Sequence, residues 1–134
     1  MLVFYSTNFV EMRLRDFYDI RRMRTKEPVT LFGRRLRQAR RRADVPQDRL
    51  GVQIGIDEHA ASARISRYET GVHEPAFETA VQLAKALRLP AAYFYCEDDD
   101  LAELVLTWGC ISKVDRNDVK ALAESRLEGK CRIG

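Results

Sequence analysis

The run from Ala60 to Arg67 combines small side chains with long cations, a composition suited to close approach against a polyanion. Ala60, Ala61, Ser62, Ala63 and Ser66 keep the surface low, while Arg64 and Arg67 supply reach and charge. The major groove of duplex DNA admits one helix and displays hydrogen-bonding base edges, so a helix that reads it needs small or polar side chains on its leading face. Composition alone favours an ordinary alanine-rich helix, and the elements on either side must decide between the two.

No other residue set suggests chemistry. His59 and His73 stand 14 positions apart with no ligand spacing. Cys96, Cys110 and Cys131 are odd in number and widely separated, which argues against a zinc site or a disulfide framework and fits a reducing cytoplasm. The acidic run Glu97–Asp100 lacks the glycine and alternating oxygen ligands of a calcium loop, so it reads as a solvated helix start. Trp108 falls on an apolar stripe, where a core or interface role is expected. Without a phosphate-binding glycine loop, a carboxylate pair or an activated nucleophile, the expectation is no catalytic residue, no metal, no cofactor and no enzyme activity. The first ten residues carry no basic leader region and are too short to span a bilayer, so no membrane segment is expected.

Charge is unevenly spread along the 134 residues. Between Arg13 and Arg42 there are 12 Lys and Arg against 3 acids, whereas from Tyr93 to Gly134 there are 6 against 9. A basic half joined to an acidic one is the footprint of a polyanion binder coupled to a second job, or simply of a solvated basic helix.

The elements that would position Ala60–Arg67 follow from caps and apolar spacing. Thr30 caps a helix with apolar positions Phe32, Leu36 and Ala39, whose opposite face carries Arg34, Arg35, Arg37, Arg41 and Arg42. On that reading Arg35, Arg37 and Arg41 meet phosphates. Pro46 suits the first turn of a short helix through Leu50 to Ile54, ended by Gly55. Asp57 is placed to cap a third helix through Ile65 and Tyr68, closed by Gly71. Pro75 opens a fourth with the stripe Phe77, Ala80, Val81, Ala84 and Leu87, and Pro90 starts a short fifth with Tyr93 and Phe94. Two further helices follow, one with Leu101, Leu104, Val105 and Trp108, the other beginning near Asp115 with Val119, Leu122 and Leu127. Residues 1–27 form an extension in which Leu14, Phe17, Tyr18 and Met23 alternate with arginines; it reads as a basic arm, an extra packing helix or a tail ahead of an internal start.

Two short helices joined by a tight glycine turn are the supersecondary signature of DNA-reading modules, in which the second helix enters the groove. The runs FGRRLRQARRRADVPQDRLGVQIGI and ARISRYETGVHEPAFETAVQLAKALRLPAAYF, within residues 31–95, resemble the Cro/CI-type (XRE) helix-turn-helix family of bacterial and phage regulators. The segment Ile65 to Gly71, then Pro75 and Leu83 to Leu87, carries the likeness. The resemblance implies an all-α chain: a five-helix lambda-repressor-like DNA-binding domain over residues 28–95, followed by two C-terminal helices in 96–134 that are candidates for dimerisation. It implies that Gln47 contacts a phosphate and braces a recognition side chain. It implies that Ser62, Ala63, Ser66 and Arg67 face bases, that Arg64 meets a phosphate or a base, and that Arg40 and Glu69 form a structural ion pair. Two departures stand out. Pro46 occupies the position before the glutamine where the family has Thr or Ser. The distance from Ile56 to Ile65 also exceeds the family spacing by about one helical turn of 3.6 residues. Either the recognition helix gains a turn capped by Asp57, with Glu58 and His59 in it, or residues 57–60 loop out.

The function these observations imply is a cytoplasmic, sequence-specific regulator of double-stranded DNA, a repressor bound as a homodimer to a palindromic operator. The alternative is an antitoxin whose C-terminal half holds a toxin partner. A self-cleaving repressor would need more than the 39 residues from Cys96 to Gly134.

Overall fold

The computed structural model describes residues 27–127 as six α-helices and one 3-10 helix, with no strand among the described residues. The expected arm over residues 1–27 lies outside them except for Glu27, as does Cys131. Helix α1 (Leu31–Arg42) starts where the Thr30 hydroxyl accepts from the Gly33 N–H at 3.1 Å. Helix α2 (Gln47–Gln53) follows Pro46, whose extended backbone leads into the first turn with no side-chain cap. Helix α3 (Glu58–Thr70) is capped by Asp57 and closed by Gly71 in the left-handed conformation. Helix α4 (Phe77–Ala86) and the 3-10 helix Ala91–Tyr95 complete the five-element unit expected from sequence.

One side chain from each of those five elements is fully buried: Leu36, Leu50, Ile65, Leu83 and Phe94. Burying each contributes about 1.5–3 kcal/mol, so the unit has one shared core rather than paired helices. Phe32 and Phe94 add a tilted ring contact at 4.8 Å between centroids.

Helix α5 (Asp99–Cys110) begins at Asp98, which accepts from the Leu101 N–H at 2.7 Å, and buries Ala102 against the core. Helix α6 (Lys113–Ser125) buries nothing; Ser112 caps it, and the Arg116 guanidinium donates to the Trp108 carbonyl at 2.9 Å while lying over the indole. Leu101, Leu104, Val114, Leu122 and Leu127 are all exposed.

Arg35 corrects the sequence reading of α1. It is only 3% exposed. Its guanidinium donates to the carbonyls of Cys96 at 2.9 Å and Glu97 at 3.0 Å, to the Gln38 side chain at 3.1 Å, and pairs with Asp99 at 2.8 Å. The fork matches the two successive carbonyls just after the 3-10 helix, so a cation that looked free for phosphate is held inside the protein. It also fastens the start of α5 to α1.

Candidate nucleic-acid interface

Helices α2 and α3 meet at a position where only glycine fits. A Cβ on Gly51 would stand 2.6 Å from the Ala61 Cβ, closer than carbon atoms approach. The chain then turns through Gly55 at φ +86°, and the Ile56 N–H donates back to the Gly51 carbonyl at 3.0 Å. Tight packing at Gly51 and a fixed turn at Gly55 set the angle at which α3 leaves α2.

The Asp57 carboxylate accepts from the His59 N–H at 3.0 Å, and residues 58–60 are helical. The recognition helix therefore does gain an N-terminal turn, and the looped-out alternative is set aside. Along α3 the buried residues are Ala61, Ile65 and Glu69, spaced by four and so aligned on one face. The opposite side carries His59, Ala60, Ala63 and Arg67, flanked by Ser62 and Arg64, all exposed, with Ser66 half-buried. The structure thus brings Ser62, Ala63, Arg64, Ser66 and Arg67 onto one accessible side of one helix. The alanines leave that side low enough for close approach.

A buried carboxylate near the end of α3 ties that helix to α1 and α2. Glu69 is 0% exposed. It accepts from Arg40 Nε at 2.5 Å and Nη2 at 3.2 Å, from Arg37 Nε at 3.3 Å and from Gln47 Nε2 at 2.9 Å. Arg40 also donates to the Val45 carbonyl at 3.1 Å, tying in the α1–α2 connection. The Arg40–Glu69 pair expected from the resemblance is present. Arg37, expected at a phosphate, is corrected: it is 7% exposed and turned to Glu69 because it lies one turn before Arg40 on the same face of α1. Gln47 braces the end of α3 through Glu69. The signal for the larger network was the row Gly33, Arg37, Arg40, at spacings of four and three, facing an acid on the partner helix. Gly33 belongs to it because a Cβ there would meet the Glu69 carbonyl oxygen at 2.3 Å.

Of the other arginines on α1 and α2, Arg34, Arg41, Arg42 and Arg49 are exposed. Among the described residues no group of His, Cys, Asp and Glu is arranged to hold a metal ion, and no helix is long and apolar enough to cross a membrane.

A family model described as a helix-turn-helix domain matches residues 31–93. The crystal structure of the transcriptional regulator BswR is similar at a TM-score of 0.69 and 39% sequence identity, covering 74% of this chain and 98% of that one. No curated protein matches the chain by sequence.

Proposed function

The chain belongs to the helix-turn-helix transcriptional regulators, and on that footing we propose that it is a sequence-specific repressor of the Cro/CI type, acting in the cytoplasm as a homodimer on a palindromic operator. The observation that carries the reading is the outward side of α3, where Ser62, Ala63, Ser66 and Arg67 stand together above a buried Glu69. Base edges specify and phosphates position. Arg67, on a low alanine surface, is suited to a bidentate contact with guanine, and Arg64 beside it to a phosphate or a neighbouring base.

Two features favour a dimer. Leu101 and Leu104 of α5 and Val114 and Leu122 of α6 are exposed apolar side chains among the described residues. Symmetric pairs are the commonest assemblies, and two copies double the number of bases read. Light scattering on the purified chain checks this, a dimer being expected. A monomer co-purifying with a small protein would transfer the reading to an antitoxin that the toxin completes.

Selection of binding sites from random duplexes, repeated with Arg67→Ala, tests the function. A defined palindrome that loses one base preference in the variant is expected. Recovery of no preferred sequence at moderate ionic strength, or a variant that weakens all sequences equally, would remove the support for base reading by this face.

A further inference from the structure

The added turn at the start of α3 has its own exposed side chains, and they differ in kind from those behind them. Asp57 and Glu58 are acids, His59 follows, and all three are exposed. Asp57 spends one carboxylate oxygen on the His59 backbone N–H at 3.0 Å, which leaves the imidazole itself unengaged by that cap. His59 stands three, four and seven residues before Ser62, Ala63 and Ser66, so these side chains form one continuous strip down the helix. The strip is on the side away from the buried Ala61, Ile65 and Glu69.

Two physical arguments place the tip over base edges. The two carboxylates at residues 57 and 58 repel phosphate, which disfavours seating this end of the helix on the sugar–phosphate ridge. In this module it is the N-terminal part of the second helix that contacts bases. His59 lies one turn, about 5.4 Å, ahead of Ala63, whereas base pairs are about 3.4 Å apart, so it reaches a pair other than the one beneath Ala63.

Resting on the reading of α3 as the groove helix, we propose that His59 is a specificity-determining residue that extends the recognised half-site by one base pair and selects guanine there. Imidazole carries an N–H donor in either protonation state. Guanine offers two adjacent acceptors in the major groove, N7 and O6, where adenine sets the N6 donor beside N7, cytosine offers a donor and thymine a single acceptor beside a methyl group. The His59 N–H is shared between N7 and O6, a contact that the N6 donor of adenine opposes.

The test is binding-site selection with the full chain and with His59→Ala and His59→Asn. Both substitutions are at an exposed side chain, and circular dichroism melts confirm that the fold is kept. The wild-type motif should contain a guanine whose preference is flattened by His59→Ala and redirected to adenine by His59→Asn, since asparagine pairs with adenine N6 and N7. Replacing that guanine by 7-deazaguanine should weaken wild-type binding about tenfold and leave His59→Ala unmoved. A wild-type motif that His59→Ala reproduces position by position would overturn this inference and leave the groove-helix reading intact. No wild-type motif at all would overturn both.

Discussion

Glu69→Gln exchanges a buried carboxylate for an amide of nearly the same shape, so its effect isolates charge from packing. In the native protein the carboxylate receives donors from Arg37, Arg40 and Gln47, with the two arginine side chains only 9% and 14% exposed. The amide keeps one acceptor oxygen and turns an NH2 toward a donor that had an acceptor before. Two guanidiniums are left in a poorly hydrated pocket with no negative charge. Removing one partner of a buried ion pair costs about 3–5 kcal/mol, and the residual exposure of the arginines places this case near the lower end, about 3 kcal/mol. Thermal unfolding followed by circular dichroism reads the result: a domain of this size loses about 4–8 °C per kcal/mol, so a drop of about 12 °C or more is expected. Below the transition the variant should still bind DNA, but more weakly, because the same contacts that stabilise the fold fix the end of α3. A melting point within about 3 °C of wild type would mean that water or a repacked arginine replaces the carboxylate, and the claim that Glu69 sets the position of α3 would fail with it.

Three further outcomes follow from the same geometry. Arg35→Ala should expose the chain after Tyr95 to limited proteolysis, because the Cys96 and Glu97 carbonyls lose their donors and Asp99 its partner; leaving the buried Cys96 carbonyl without its donor costs about 1–3 kcal/mol. Unchanged cleavage kinetics would show that α5 is held by its own packing. Gly51→Val should destabilise the domain by about 1–3 kcal/mol and shift amide resonances across α2 and α3 in NMR spectra, since the branched side chain has no room against Ala61. Leu104→Glu combined with Leu122→Glu should give a monomer in light scattering with the helical content of wild type, both positions being exposed within one chain; a persisting dimer would place the interface elsewhere.

The helix ends were legible because capping is local chemistry. Thr30 and Asp57 accept from the N–H groups three and two residues on, and Gly71 takes the left-handed conformation, all within the stretch of sequence that announces them. Pro46 shows the limit of that logic. It departs from the family's hydroxyl, yet α2 still begins directly after it, because an extended proline pre-sets the entry to a helix even without donating a cap. The core stripes were legible for the same reason of period. Exposure of the α3 side was legible in part: the small residues were visible, and the helical state of residues 58–60, which lengthens the strip to His59, needed the structure.

The arginines of α1 were not legible, and the reason has a measurable consequence. A helical wheel shows which residues share a face but not what that face meets, and the partners of Arg35 are 61 and 62 residues away in sequence. Three cations of the basic run, Arg35, Arg37 and Arg40, are neutralised or bonded within the fold, so the field at the surface is weaker than the count of residues suggests. Arg41, one residue past Arg40, is exposed. Each phosphate neutralised adds about 0.9 to the slope of log affinity against log salt. Arg41→Ala should therefore lower that slope by about 0.9 with the selected motif unaltered. Arg35→Ala, measured well below its melting point, should leave the slope where it is, because its charge never faces the duplex. Equal losses of slope in the two variants would mean that Arg35 leaves its carbonyl partners when DNA binds.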